Sequence, residues 1–334
     1  PPRSTLFPYT TLFRSLFIAG PVLVSCSISD KKGPVPADIV AREQKKSESA
    51  PLYPIILVHG FMGFGRGQIP NIYYWGGFSD LQEQLKTLGY PTFTAEVGPV
   101  SSNWDRACEL YAFIKGGTVD YGAAHSEKHG HARYGRTYPG VFPEWDGTNK
   151  IHIFGHSMGG QTARVLVHLL EEGSEQERNA DPAGFSPLFA GNKNWVESVT
   201  TLSTPHNGTT LLENQNIFRA AQYGAISFFA ALQKLKILYF DFNLDHFGLT
   251  LRGDESIGQY TERVLNFLFG EGSGDSGTRD ASVRGASELN GWVKTSPRVY
   301  YFSWATEQTV DSGINGFQIP ELGMNGFLNA GALY

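Results

Sequence analysis

A chain of 334 residues with 41% apolar and 18% charged residues can bury one large core or two modest ones, which excludes a largely disordered protein. Its formal charge of −5 and its lack of a clustered basic face argue against a nucleic acid partner. Two cysteines, Cys26 and Cys108, are too few for a disulfide scaffold and too far apart for a Cys-x-x-Cys redox pair.

In chain order, residues 1–15 (PPRSTLFPYTTLFRS) look like translated sequencing adapter and are set apart from the fold. Residues 16–27 (LFIAGPVLVSCS) hold an apolar core too short to span a membrane and suited to the apolar part of an export signal. The alternative is a loop joined to the foreign residues. Residues 28–50, rich in Lys, Ser, Glu and Pro, complete a signal-like and disordered lead-in over 16–50. The folded unit is expected over 51–334.

Residues 54–58 (PIILV) read as a central parallel strand covered on both faces. The strand runs into His59-Gly60-Phe61, with Gly63, Gly65 and Gly67 close behind, a turn able to bring the Phe61 N–H up to a ligand oxygen. Without a Lys-Ser/Thr ending, the turn is a poor phosphate loop. A helix over 78–88 stops at Gly89, and 91–97 supplies the next strand. Ser102 then precedes a helix with Asp105 in its first turn and Gly116 as its stop. The following stretch has no clear period and places His125, His129 and His131 within seven positions. A metal site and a loop of solvated histidines both fit that spacing.

Residues 151–160 (IHIFGHSMGG) alternate as a buried strand and stop at a Gly-x-Ser-x-Gly sequence, after which 161–172 recurs at helical period. Ser157 at that junction is the candidate nucleophile, and the N–H of Met158 points near its hydroxyl. A strand over 196–202 ends in a polar turn, as at the carboxyl edge of an active-site sheet. Asn207-Gly208-Thr209 is a formal glycosylation acceptor and stays unassigned. Residues 217–242 are apolar around much of a helical wheel, which fits either a hinged cover over an apolar cleft or an ordinary core helix. Asp241 and Asp245 follow among aromatic residues. Helices over 257–269 and 283–293 and a late strand over 298–305 complete the pattern.

YPIILVHGFMGFGR, YYWGG, the 97–139 segment, IHIFGHSMGGQTAR, LSTPHNGTT and IPELGMNGF together resemble the secreted triacylglycerol lipases of Gram-positive bacteria, the group shared by thermophilic bacilli and staphylococci. The likeness covers roughly residues 54–328. It implies an α/β-hydrolase fold with a mostly parallel central sheet, a helical lid at 217–242 and a structural zinc in an insertion. By the same likeness Ser157 is the nucleophile, and Phe61 and Met158 are the oxyanion donors, although thermophilic members often carry Gln at the latter position. Asp105, His125, His131 and Asp245 match the zinc ligands. The substrate implied is a triacylglycerol or other ester at a lipid–water interface, outside the cell and with no integral membrane segment.

The family takes its triad Asp and His, and most ligands of a calcium site, from beyond the stretch that holds Glu321 and Asn325. Neither triad residue is matched before Tyr334, so the chain reads as a fragment of a lipase lacking its carboxyl-terminal part and inactive by itself. Two rivals remain: a catalytically silent fragment or pseudoenzyme that binds apolar ligands or a partner through 217–242, and a zinc hydrolase, which would need an open metal position.

Overall fold

The computed structural model describes residues 17–19, 22–24, 52–212, 215–235, 240–270, 274–307, 309–314 and 318–320. Strands β1 (Ile55–Val58), β2 (Thr92–Thr94), β5 (Ile151–His156), β6 (Val196–Leu202) and β7 (Tyr300–Trp304) form a parallel sheet in the order β2-β1-β5-β6-β7. This is the α/β arrangement that the alternating strands and helices of the sequence imply. The shortness and wholly apolar character of β1 follow from coverage on both faces. Ile56 and Val58 enter one core with Ile151 and Ile153, whereas Leu57 enters a second with Phe64, Tyr74 and Trp75.

The first core is covered by α2 (Asn103–Lys115) and α4 (Met158–Glu171). Ser102 caps α2 by accepting the Asp105 N–H at 3.2 Å, a contact worth about 1 kcal/mol. Gly116, at φ 91°, ends the helix. The second core lies beneath α6 (Gln215–Lys234) and α7 (Ile257–Phe269), joined by Ser227 Oγ to Thr261 Oγ1 at 3.0 Å. Helix α6 buries Ile226, Phe229 and Ala230 while Tyr223 and Phe228, and Leu235 just beyond its end, stay exposed. The expected 217–242 segment is thus a helix over most of its length, with 236–239 outside the described residues.

The histidine-rich stretch is more ordered than its lack of period suggests. Strands β3 (Gly117–Asp120) and β4 (Tyr134–Tyr138) pair antiparallel and bracket α3 (Ala123–His129), a helix of two turns between Gly122 and Gly130. Two turns are too few to show a helical period. Short helices α1 (Leu81–Thr87), α5 (Glu175–Ala180) and α8 (Gly277–Ala281), helix α9 (Val283–Trp292), the antiparallel pair β8 (Thr309–Asp311) and β9 (Gln318–Pro320), and 3-10 turns at Pro187–Ala190, Thr210–Leu212 and Asp245–Phe247 are also described. Residues 17–19 and 22–24, in the signal-like segment, pair as two antiparallel strands. Among the described residues no helix is long and apolar enough to cross a membrane.

Candidate active site and metal cluster

Ser157 stands alone between the end of β5 and the start of α4, at φ 52° and ψ −129°. A non-glycine residue held there costs on the order of 1–3 kcal/mol and persists only where its surroundings fix it. Its N–H donates to Leu202 O at 2.8 Å, and its carbonyl accepts the Gly160 N–H at 3.0 Å. The flanking glycines make the bend passable. A Cβ at Gly155 would stand 2.5 Å from the Gly160 nitrogen, and one at Gly159 would strike Val58 O.

The turn after β1 approaches the same serine. A Cβ at Gly60 would lie 2.7 Å from Ser157 Cβ, so only glycine lets Phe61 and Ser157 come together. The Gly60 N–H donates to Tyr74 Oη at 2.9 Å, and Tyr74 Oη lies 2.5 Å from His156 Nδ1. Burial lowers the His156 imidazole to about 4, so its neutral Nδ1 accepts the tyrosine proton. His59 is fully buried between Gly60 O and Val97 O, and burial, followed by the Arg106 charge, lowers it to about 3. Neither histidine beside the serine in these two motifs is therefore poised to take a proton near neutral pH.

Beside this site, Asp105 at the start of α2, His125 in α3, His131 and Asp275 converge, with one ligand atom from each lying within 4.8 Å of the others. His125 Nε2 is 3.1 Å from Asp105 Oδ1 and 3.1 Å from Asp275 Oδ2, and His131 Nε2 is 3.2 Å from Asp275 Oδ2. Tetrahedral zinc with bonds of 2.0–2.1 Å separates its ligands by about 3.3 Å, close to these contacts. His131 Nδ1 faces Ala132 O at 2.9 Å, which makes Nδ1 the donor and leaves Nε2 a lone pair. That Nε2 is buried without a hydrogen-bond partner, pointing at a carboxylate. Two carboxylates and an imidazole lone pair turned on one point fit a cation between them.

The fourth expected ligand, Asp245, lies elsewhere. Arg136 on β4 draws it away at 2.7 Å and takes Asp241 at 2.9 Å, so both acids after α6 pair with one guanidinium. Asp275, from the Gly/Ser-rich turn before α8, fills the fourth place. Burial would raise its carboxyl, but the hydrogen bond from His125, together with that imidazole's charge, holds it well below the usual carboxylate range. We expect Asp275→Asn to lower metal affinity by more than the roughly 10–100-fold that loss of an outer partner costs. Asp245→Asn should leave the metal content measured on the purified protein unchanged, and the reverse pattern would restore Asp245 as a ligand.

Three residues support the cluster, of which only Trp104, beside Asp105 in the segment that carries the family resemblance, is signalled in the sequence. His246 Nε2 donates to Asp105 Oδ2 at 3.0 Å and stacks on Tyr121, fixing the carboxylate from the segment after α6. Glu177 on α5 accepts the Ala124 and His125 N–H groups at 2.9 and 2.8 Å, holding the first turn of α3. Trp104 stacks on His125 with ring centres 5.0 Å apart.

Residues 51–331 match the family model described as the lipase-like, C-terminal domain. The chain is 44% identical over 266 residues to a lipase of Staphylococcus epidermidis, an alignment covering 77% of this chain and 38% of that protein. It therefore spans about two-fifths of the length of this curated relative. Among solved structures, EstA from Clostridium botulinum superposes with a TM-score of 0.74 at 48% identity, covering 86% of this chain and 69% of that one. Lipase 1 from Pelosinus fermentans gives 0.72 at 47% identity, covering 84% and 75%.

Proposed function

The chain belongs to the family of lipase-like C-terminal domains, and from that premise we propose that the complete protein is a secreted triacylglycerol lipase acting through a Ser157 acyl-enzyme. The observation that carries this reading is the strained Ser157 elbow with the glycine turn of Gly60 packed against it. In the proposed reaction Ser157 Oγ attacks the ester carbonyl while a histidine base, supplied with its orienting Asp as in the family's pattern, takes the hydroxyl proton. The Phe61 and Met158 N–H groups stabilise the negative oxygen, each contributing on the order of 3 kcal/mol. The base then protonates the departing alcohol, and water hydrolyses the acyl-enzyme.

Asp105, His125, His131 and Asp275 are proposed to hold zinc. Four protein ligands leave it no open position for substrate, which makes its contribution structural and disfavours a zinc hydrolase. Calcium is a further proposal that rests on the family resemblance alone. Helix α6 is the proposed lid: its outer face already exposes Tyr223 and Phe228, while its inner face lies on the aromatic layer around Tyr74.

The test is fatty acid release by the complete gene product as a triacylglycerol is raised through its solubility limit. Turnover should rise sharply once an emulsion forms, as the interface favours exposure of the inner face of α6. Hydrolysis confined to dissolved short esters, with α6 equally protected from hydrogen exchange with and without micelles, would favour an esterase with α6 as a core helix.

A further inference from the structure

Each carboxylate of the metal cluster lies within two residues of a contact to the ester-attack site. Next to Asp105, Arg106 is completely buried, and its guanidinium donates to His59 O at 2.5 Å, Gly98 O at 2.5 Å and Thr162 Oγ1 at 2.9 Å. Among the described residues no carboxylate hydrogen-bonds it, and its direct partners are carbonyl and hydroxyl dipoles, with the Glu109 and Asp280 charges acting from farther off. Those dipoles are thereby fixed in direction.

The consequence runs along the turn. In a trans peptide the C=O and N–H point opposite ways, so drawing the His59 carbonyl onto Arg106 sends the Gly60 N–H to the other side, where Tyr74 Oη accepts it at 2.9 Å. The Gly60 carbonyl in turn accepts the Gly63 N–H at 3.1 Å, which directs the Phe61 N–H away from that contact. Arg106 also reaches α4 directly, because Thr162 lies in that helix and its hydroxyl, accepting from Arg106, passes its own proton to Asn103 Oδ1 at 2.7 Å.

The second route starts two residues beyond Asp275. The Gly277 N–H donates to Val100 O at 2.7 Å, and the glycine backbone fits between the side chains of the two oxyanion residues. A Cβ there would stand 3.0 Å from Phe61 Cδ2 and 3.1 Å from Met158 Sδ.

We propose that the metal cluster braces the oxyanion site through these two routes, with Arg106 as the positioning residue that aims the Phe61 amide. The inference rests on Phe61 and Met158 being the oxyanion donors. A metal held by Asp105 and Asp275 would tie α2 to the start of α8, and both elements contact the turn that follows β1. A buried guanidinium suits the task because its planar fork orients several acceptors at once, which a lysine cannot do.

The experiment compares the complete gene product with its Arg106→Lys variant, each with metal and after chelation. In Arg106→Lys, kcat should fall on the order of 10²-fold with little change in KM, and affinity for a trifluoromethyl ketone that forms an oxyanion on Ser157 should fall in parallel. Hydrogen exchange of residues 59–63 should quicken in the variant. Chelation of the unsubstituted protein should quicken the same amides, and chelation of the variant should add little more. An unchanged kcat in a folded Arg106→Lys protein, or 59–63 exchange indifferent to chelation, overturns the brace. If Arg106→Lys does not fold, exchange in the chelated unsubstituted protein decides alone. Should the protein hydrolyse no ester at all, the exchange readout still judges the brace, and the failure belongs to the proposed activity.

Discussion

Replacing Ser157 with alanine in the complete gene product is expected to cut ester turnover by about 10⁴-fold or more while leaving bound metal and folding in place. The loss is large because the acyl-enzyme has no other nucleophile: the neighbouring His59 is fully buried, His156 is half-buried, and both are kept neutral beside Gly60, Val97 and Tyr74. Stability should hold or rise slightly, since the alanine has no hydroxyl to expose and faces the same backbone requirement at φ 52°. Turnover by the complete protein that survives Ser157→Ala within tenfold would place the chemistry elsewhere.

Chelating the metal is the second large effect, and it falls on stability. A metal present at about 1,000 times its dissociation constant stabilises by about 4 kcal/mol, roughly 10 °C in melting temperature for a domain of this kind. Its removal also leaves Asp105 and Asp275 facing one another across buried imidazoles. The pH dependence should then invert. Without metal, burial pulls His125 down, but the Asp105 and Asp275 carboxylates outweigh it and lift the imidazole from 6.5 to about 10. Since the folded value exceeds the unfolded one, that stabilisation is complete below pH 6.5 and is lost as pH rises toward 10. With metal bound the imidazole nitrogen cannot also hold a proton, so metal-derived stability grows with pH over the same window. Melting curves between pH 6 and 9, with and without chelator, check both signs. Parallel pH profiles would show that the cluster holds no metal.

How much of this was legible depends on how local each signal was. The elbow at Ser157 declares itself because the apolar period changes from two to 3.6 across a pair of glycines within one short stretch. Helix α2 is equally readable, bounded by a serine cap and a glycine stop. Asp105, His125 and His131 are brought together as a cluster, but Asp275 was hidden in a Gly/Ser-rich turn with no period and a long way along the chain. Asp245 attracted attention as an acid among aromatics. Its actual partner, Arg136, sits 109 positions earlier on a strand that the sequence did not announce. Arg106 looked like one more charged residue on a helix, and only the folded chain shows it buried against His59, Gly98 and Thr162.

The most direct measurement is covalent trapping of the nucleophile. The complete gene product is treated with diethyl p-nitrophenyl phosphate until esterase activity is lost, then digested and analysed by mass spectrometry. We predict one diethylphosphoryl group per active molecule, on the peptide containing Ser157, with release of one p-nitrophenolate for each site lost. Complete inactivation with Ser157 unmodified, or an active protein labelled on a different residue, would contradict the account.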